Sequence, residues 1–418
     1  MKIGTRARAL ALLAALGFVI AVVPLAEASN CAGTSVGFKP LIDLKTGTFK
    51  GEQGGLYPGG TNTRPASHTT KGKTLAEENA VPRRADGTVD LTGGTLVFLS
   101  IGMSNTQQET DAFIPMADAD PAKSDRVVVV NGAESQVDST VAADPNAAYW
   151  GIVDSRLSAA GVTGKQVGVV WLKQVRKKAK EPFPKDAQIL EDNLTSIVKI
   201  LKDRFPNLWL VYLSSRIYAG YATTNVSPEP QAYDSGFAVK WLIERQLQGS
   251  LPVGSSVPWL SWGPYLWADG THPRSDGLTW VCSDFEEQDG MHPGPGAEHK
   301  VASMLLDFVH ADVTAKIWYG SIGQTGTGGS GGSGGGSGGS GSSGSASGSG
   351  SGSSGGSTPG ASATPNVGGS TPSSPSPGST AGATAQPGAI AAGGDLGGGG
   401  SVAGPLIAGA AGLAAGVG

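Results

Sequence analysis

Short runs of apolar, mostly β-branched residues recur through the middle of the chain. They cover residues 96–99, 126–130, 167–171 and 208–213, and a fifth candidate covers residues 257–262. Apolar runs without alternation are typical of strands buried on both faces, as in parallel sheets covered by helices. We therefore predict four or five parallel strands.

The segments between these runs carry a helical pattern. Residues 187–205 place apolar side chains three or four positions apart, and Pro206 ends the pattern. Residues 235–248 and 297–309 are similarly amphipathic. Alternating strands and helices predict an α/β fold, a three-layer α/β/α sandwich around a parallel sheet. In such sheets ligands bind beyond the carboxyl ends of the strands, so chemistry is expected just after each apolar run.

The first residues have the pattern of an export signal. Lys2, Arg6 and Arg8 precede an apolar stretch, which ends at the small residues Ala26 and Ala28. This order is typical of a secretory signal peptide, here residues 1–28. We therefore expect a secreted, extracellular protein whose folded domain covers residues 29–320.

The C-terminal part has a different composition. The chain contains 66 glycines, about half of them after residue 320, where Asp395 is the only charged residue. A Gly/Ser-rich segment has little to bury, so we predict a disordered linker over residues 321–400. The weakly apolar tail, residues 401–418, has some features of a GPI-attachment signal, which would give cell-surface attachment; a simple low-complexity end is the alternative.

The net charge limits the possible binding partners, and the cysteine content indicates a disulfide. With 30 basic and 34 acidic residues the net charge is −4, which argues against a nucleic-acid partner. The basic cluster at residues 176–180 is interpreted as a solvated helix face. Cys31 and Cys282 are the only cysteines, and in an oxidising compartment we expect them to form a disulfide.

Several strand ends carry side chains suited to acyl transfer. Ser104 follows the first strand, Gly132 the second and Gln174 the third, while Asp289 and His292 precede the last predicted helix. Acyl transfer needs a nucleophile, a base, a carboxylate that orients the base and N–H donors for the oxyanion. Ser104 is the candidate nucleophile, with His292 as base and Asp289 as its partner. The candidate oxyanion donors are the N–H groups of Ser104 and Gly132 and the Gln174 side chain.

This arrangement resembles the SGNH (GDSL-type) hydrolase superfamily. The G-x-S-N block at residues 102–105 and the W-x-x-Q block at residues 171–174 are similar to its sialate O-acetylesterase-like, carbohydrate-esterase branch. The resemblance implies a flavodoxin-like sheet of order 2-1-3-4-5 and ester hydrolysis without a metal or other cofactor. Met103, where the family has Asp or Gln, and the absence of Gly-Glu after Gln174 depart from that pattern.

The D-G-x-H-P pattern occurs twice. Asp269 and His272 belong to the first copy, and Asp289 and His292 to the second. We assign the catalytic pair to the second copy because a predicted helix follows it directly. A hard metal ion at Asp269, Asp276 and Asp284 is an alternative use of the acidic loop, which we expect to be simply solvated.

Candidate substrate contacts follow the fourth and fifth strands. Arg216 can bind a carboxylate, or can pair with a structural acid. Trp262 and Trp267 belong to a tryptophan-rich stretch with Trp259 and Trp280, and indoles either stack on sugars or fill cores. The sequence thus predicts a secreted serine esterase that removes acyl groups, expected to be acetyl, from a small-molecule or polysaccharide ester. The alternative is a catalytically inactive carbohydrate-binding or cell-surface protein.

Overall fold

The computed structural model describes residues 28–320. Short elements come first: helix α1 (Leu41–Leu44), the hairpin strands β1 (Thr48–Phe49) and β2 (Glu52–Gln53), and helix α2 (Ala66–Glu78). The signal peptide predicted over residues 1–28 lies, except for its last residue, outside the described residues. The predicted linker at residues 321–400 and tail at residues 401–418 also lie outside them.

Alternating strands and helices form the rest of the described chain. The elements are β3 (Leu96–Gly102), α3 (Ser104–Asp118), β4 (Val127–Asn131), α4 (Ser139–Ala142), α5 (Tyr149–Ala159), β5 (Val167–Lys173), α6 (Lys185–Arg204), β6 (Leu210–Leu213), α7 (Gln231–Leu247), β7 (Trp259–Trp262), α8 (Pro295–Ala311) and α9 (Ala315–Gly320). Each of the five predicted apolar runs is a strand.

The main sheet is parallel throughout and has the order β4-β3-β5-β6-β7. Counted along its own strands this is 2-1-3-4-5, as predicted. Helices flank both faces, with α3 packed on α8 and α6 packed on α7. The α/β/α fold class is therefore confirmed. No helix among residues 28–320 has the length and apolar character needed to cross a membrane.

The central strands explain the apolar runs. Every residue of β3 and of β5 is buried, because helices cover both of their faces. At the carboxyl edge of the sheet, Ser100 lies in register with Asn131 on one side and Trp171 on the other. The residues that follow β3, β4 and β5 are consequently brought close together at one edge.

Two further predictions about the chain can be compared with the structure. Cys31 and Cys282 are bonded to each other with their Cα atoms 5.3 Å apart, as expected. The basic cluster at residues 176–180 does not lie on a helix, which corrects that interpretation. It belongs to the loop between β5 and α6, and α6 begins only at Lys185.

Candidate active site

Ser104 is the first residue of α3 and is separated from the buried strand β3 only by Met103. At this position the N–H groups of the first helical turn have no acceptor within the helix. A Cβ atom on Gly102 would lie 2.2 Å from Thr106 Oγ1 and 2.5 Å from the Lys173 carbonyl oxygen. Glycine is therefore needed at residue 102 because the turn packs tightly against β5, and not because of an unusual backbone angle.

His292 and Asp289 lie on the loop that leads into α8. Ser104 Oγ is 2.8 Å from His292 Nε2, and His292 Nδ1 is 2.5 Å from Asp289 Oδ2. The other carboxylate oxygen, Oδ1, accepts hydrogen bonds from the backbone N–H groups of Met291 at 2.8 Å and His292 at 3.0 Å. The structure thus brings a hydroxyl, an imidazole and a carboxylate into one hydrogen-bonded chain.

The charge on Asp289 determines which nitrogen of His292 can accept the proton of the Ser104 hydroxyl. Burial opposes ionisation of Asp289, but hydrogen bonds from the His292 ring and from the N–H groups of His292 and Met291 outweigh it and lower the pKa of this carboxyl to about 2. Near neutral pH the carboxylate therefore only accepts hydrogen bonds. The proton of a neutral His292 is then held on Nδ1, which leaves Nε2 as the acceptor for the Ser104 hydroxyl.

Asn105, part of the G-x-S-N block but given no role from the sequence, and Gln108, which the sequence did not indicate, join the serine segment to the histidine segment. The buried Asn105 donates from Nδ2 to the Met291 carbonyl oxygen at 3.0 Å. Gln108, one turn later on α3, donates to Glu286 Oε1 at 2.8 Å. Helical spacing places both on the side of α3 that faces the Asp-His loop, and for Gln108 only its position one turn after Ser104 could have indicated this role.

Both backbone polar groups of Gly132, its N–H and its carbonyl oxygen, are hydrogen-bonded. Its N–H donates to the Ser100 carbonyl oxygen at 3.0 Å, and its own carbonyl oxygen accepts from the Tyr149 hydroxyl at 2.8 Å. The Gly132 N–H can therefore serve an oxyanion only if it gives up the bond to Ser100. Gly132 therefore remains a candidate oxyanion donor whose N–H is already hydrogen-bonded.

Gln174 is buried and also engaged. Its Nε2 donates to the Val137 carbonyl oxygen at 3.1 Å, and its Oε1 accepts from the Val175 N–H at 3.3 Å. An amide nitrogen carries two protons, so one donor remains after the bond to Val137.

Gln136, in the loop after β4, has a left-handed backbone conformation, with a φ of 70°. The Lys177 ammonium holds both oxygens of Gln136, its carbonyl at 3.1 Å and its side-chain Oε1 at 2.9 Å.

Arg216 does not reach a surface where it could bind substrate. Its side chain is fully buried, and its backbone N–H donates to Ser235 Oγ at 2.9 Å. The charges that act on its guanidinium belong to Glu109, Glu229 and Asp289. Among the described residues no acid forms an ion pair with Arg216, and its Nε and Nη2 atoms have no hydrogen-bond partner. Its burial corrects the expectation that it contacts substrate at the surface.

The tryptophans are also buried. Trp262 is 4% exposed and donates from Nε1 to the Leu56 carbonyl oxygen at 2.8 Å. Trp267 is fully buried and donates to Glu229 Oε1 at 2.8 Å. Trp259 and Trp280 are fully buried as well. The expectation that Trp262 and Trp267 contact substrate is therefore corrected, since Trp267 is fully buried and Trp262 contributes only a 4% exposed ring to the wall of a cavity beside Leu56.

The first D-G-x-H-P copy has different partners. Asp269 accepts hydrogen bonds from the Ser35 hydroxyl at 2.5 Å and the Val36 N–H at 2.7 Å, so its carboxylate anchors the N-terminal segment. His272 in the same copy is exposed. Asp276 pairs with Arg274, and Asp284 pairs with Lys300. Among residues 28–320, His, Cys, Asp and Glu side chains form no cluster with the arrangement of a metal site.

The disulfide secures the N-terminal segment beside the catalytic loop. The Ser29 N–H donates to the Glu287 carbonyl oxygen at 2.7 Å, two residues before Asp289. The Asn30 N–H donates to the Tyr221 carbonyl oxygen at 2.9 Å. A Cβ on Gly290 would lie 2.1 Å from that same carbonyl oxygen, and Gly290 has a φ of 63°. Only glycine therefore fits residue 290, where the loop turns towards His292.

Comparisons with known proteins give only distant similarities. No family model matches the chain, and no curated protein matches it. Among solved structures, the periplasmic domain of a lipopolysaccharide acetyltransferase from Salmonella ser. Paratyphi A is 10% identical, with a TM-score of 0.30, over 58% of this chain and 95% of that one. A protein from Bacillus subtilis is 10% identical, with a TM-score of 0.31, over 51% and 56% of the two chains.

A third similar structure is the salicylyl-acyltransferase SsfX3 from a tetracycline biosynthetic pathway. It is 14% identical, with a TM-score of 0.29, over 54% of this chain and 56% of that chain. Similarity at this level shows no function for this chain.

Proposed function

We propose that this protein is a serine esterase that hydrolyses acyl esters, with acetyl groups on extracellular carbohydrate as the expected substrates. The observation that carries the proposal is the hydrogen-bonded order of Ser104 Oγ, the His292 ring and the Asp289 carboxylate, at 2.8 Å and 2.5 Å. A hydroxyl becomes a strong nucleophile when an oriented imidazole can take its proton. Each of the three groups has the contact that this chemistry requires.

The reaction would proceed in two halves. In the first, Ser104 Oγ attacks the ester carbonyl carbon while His292 Nε2 takes the hydroxyl proton. His292 then gives that proton to the departing alcohol oxygen as the bond between this oxygen and the acyl carbon breaks, which leaves an acyl-serine. In the second half, His292 takes a proton from water and the resulting hydroxide attacks the acyl carbon. The bond between this carbon and Ser104 Oγ then breaks, which releases the carboxylic acid, and His292 returns its proton to Oγ. Asp289 stabilises the positively charged imidazole in both halves.

The developing oxyanion needs donors, and the first turn of α3 provides the nearest ones. The Ser104 N–H lies at the helix N-terminus, where the peptide dipoles favour negative charge. The second amide proton of Gln174 is a further donor. Gly132 would add a third on exchanging its bond to Ser100 for one to the oxyanion. This order of importance follows from the partners that Gly132 and Gln174 already have.

Export and a carbohydrate substrate rest on other features. The Cys31–Cys282 disulfide is the kind of bond that persists in an oxidising compartment, which supports export together with the N-terminal signal pattern. The carbohydrate expectation rests on the G-x-S-N and W-x-x-Q blocks. The non-catalytic alternative relied on tryptophans as a sugar-binding platform, and the burial of Trp262 and Trp267 removes that support.

A fluorophosphonate probe tests the esterase proposal directly. We expect the wild-type protein to be labelled, and expect Ser104→Ala and His292→Ala to lose both labelling and the release of acetate from acetylated xylan. His272→Ala, in the other D-G-x-H-P copy, is the matched control and should keep both. A wild-type protein that neither reacts nor releases acetate would overturn the proposal, and labelling that survives Ser104→Ala would show that another residue is the nucleophile.

A further inference from the structure

Lys173 and Glu109 form an ion pair in the interior of the protein. Lys173 is the last residue of β5 and Glu109 lies on α3. The Lys173 ammonium donates to both carboxylate oxygens of Glu109, and the two side chains are only 1% and 0% exposed. Among the ion pairs of residues 28–320, this one is the most deeply buried.

The pair connects two elements that carry residues of the candidate active site. Lys173 directly precedes Gln174, whose amide is a candidate oxyanion donor. On α3, Glu109 follows Ser104 by five residues, which is roughly 7.5 Å along the helix axis. A further bond joins Lys173 to the same helix, because Thr106 Oγ1 donates to its carbonyl oxygen at 3.0 Å. Lys173 therefore contacts α3 both through its side chain and through its backbone.

Stability alone does not account for this pair. Burial raises the pKa of the Glu109 carboxyl and lowers that of the Lys173 ammonium, because both charged forms lose their hydration. The charge of the buried Arg216 also acts on both groups. Buried ion pairs can often be replaced by apolar side chains without a loss of stability. Their directional contacts can instead select one arrangement of two packed elements, which apolar contacts do less strictly.

We propose that Lys173 and Glu109 are a positioning pair for the esterase reaction. They keep the N–H of Ser104 and the amide of Gln174 in the relative positions that a developing oxyanion requires. Neither side chain would touch the substrate. This inference rests on the proposed esterase function and adds the residues that hold two of its oxyanion donors together. The bond from Asn105 acts on the other side of the nucleophile, towards the histidine segment.

Replacing both residues by apolar ones tests the proposal without leaving a lone buried charge. In Glu109→Leu with Lys173→Met we expect the free energy of unfolding to stay at or above the wild-type value. We expect kcat for a soluble acetyl ester to fall by about 10- to 100-fold with little change in KM, because displaced donors weaken binding of the transition state and not of the ester. The inhibition constant of methylboronic acid, which forms a charged tetrahedral adduct with an active serine, should rise by a similar factor.

Lys240 and Glu244 provide the matched control. They form an ion pair whose side chains are 5% and 17% exposed, but both residues belong to α7, so this pair connects no two elements. Lys240→Met with Glu244→Leu should keep the kcat, the KM and the boronate inhibition constant of the wild-type protein. The proposal is overturned if the 109–173 double variant has an unaltered kcat, or if its kcat falls only in proportion to a loss of folded protein.

A milder substitution covers the case in which the double variant does not fold. Thr106→Val nearly keeps the shape of the side chain but removes the hydroxyl that bonds to the Lys173 carbonyl oxygen. It should lower kcat without a change in KM, by a smaller factor than the double variant. Thr70→Val is its control, since the exposed Thr70 hydroxyl also donates to a backbone carbonyl oxygen, on α2. If the double variant cannot be folded, wild-type kinetic constants in Thr106→Val overturn the proposal.

Hydrogen exchange needs no catalysis and separates this proposal from the esterase function. In the 109–173 double variant, backbone amides of residues 103–112 should exchange faster than in the wild-type protein, while those of α6 should not. If the wild-type protein cleaves no ester but exchange responds in this way, the esterase function fails and the pair still positions the Ser104 segment. If the wild-type protein is an esterase and the double variant matches it in exchange and in kcat, the pair has been wrongly assigned.

Discussion

Asn105 and Met291 join the two halves of the candidate active site through a single buried hydrogen bond. Asn105 Nδ2 donates to the Met291 carbonyl oxygen at 3.0 Å. Asn105 directly follows the candidate nucleophile, and Met291 directly precedes the candidate base, although 186 positions separate the two in sequence. Together with the hydrogen bond from Gln108 to Glu286, this bond holds the Ser104 segment against the His292 segment.

Replacing Asn105 should impair catalysis more than substrate binding. In Asn105→Ala the buried Met291 carbonyl oxygen loses its donor, which costs about 1–3 kcal/mol, and the His292 loop is released. We expect kcat to fall by about 10- to 100-fold with little change in KM, since one displaced catalytic group has that effect. Steady-state kinetics with a soluble acetyl ester measure both constants.

Asn207→Ala is the matched control for Asn105. Asn207 Nδ2 also donates to a backbone carbonyl oxygen, that of Lys165 at 2.7 Å, but at the opposite end of the sheet. The Asn207→Ala variant should have the same kcat as the wild-type protein. Equal losses of kcat in the two variants would show that Asn105 supports the fold in general and does not position the catalytic pair.

Asp289→Asn should nearly abolish turnover while the fold persists. An asparagine amide can donate to His292 Nδ1, which places the ring proton on Nε2 and removes the acceptor for Ser104. The same change in a serine-protease triad lowers kcat by about 10⁴-fold, and a loss of that order is expected here. Asp269→Asn, in the other D-G-x-H-P copy, is the control, and its carboxylate only anchors residues 35–37. Comparable rates for the two variants would contradict the assignment.

Gly102→Ala should destabilise the protein. The added Cβ would lie 2.2 Å from Thr106 Oγ1 and 2.5 Å from the Lys173 carbonyl oxygen. Overpacking of this kind costs about 1–3 kcal/mol, and it would displace the turn that carries Ser104. Gly151→Ala, on α5, has no atom within 4 Å of the new Cβ and should raise stability by about 0.5–1 kcal/mol. Chemical denaturation of both variants checks the opposite signs.

Glu229 should make stability depend on pH near neutrality. Burial raises the pKa of this carboxyl to about 7, in spite of hydrogen bonds from the Trp267 ring and from two backbone N–H groups. A folded-state pKa above the ordinary value of 4.5 means that the folded protein keeps a proton that the unfolded chain has lost. Stability therefore falls as pH rises from about 4.5 to about 7, and then levels off.

The Glu229→Gln variant isolates that contribution. Its melting temperature relative to wild type should increase across the same pH window, because glutamine has no charge to bury. Glu77→Gln, an exposed position on α2, controls for the loss of a surface charge. A constant difference between wild type and Glu229→Gln from pH 5 to pH 8 would contradict the raised pKa.

Loss of the disulfide should affect both stability and the active site. The bond closes a loop across 251 positions, and in the chain-entropy model its removal costs up to about 5 kcal/mol. Because Ser29 is hydrogen-bonded to Glu287 near Asp289, we also expect Cys31→Ser with Cys282→Ser to lower kcat. Activity at a temperature where the variant is still folded separates the two effects. A fully active folded variant would show that the N-terminal segment does not position the loop.

Much of the fold could be predicted because the burial of a strand or helix is reflected in the hydrophobicity of its own residues. The runs that became β3 and β5 are apolar at nearly every position, since helices cover both faces of those strands. Ser104, Asp289 and His292 could be proposed because they lie where a parallel sheet brings strand ends together. The geometry that joins them, including the bond from Asn105 to Met291, depends on segments far apart in the chain.

The sequence by itself therefore predicted the strands and helices, the two cysteines as a candidate disulfide and the residues of the candidate site, while the strand order came from the resemblance to a known family. Only the tertiary structure decided which donors are engaged and which side chains are buried. Gly132 bonds to Ser100, Trp267 bonds to Glu229, and the basic segment forms a loop beside a pocket instead of a helix face. The physical reason is that the pattern of apolar residues indicates whether a position is buried. The hydrogen-bond partner at that position depends on which distant segment packs against it.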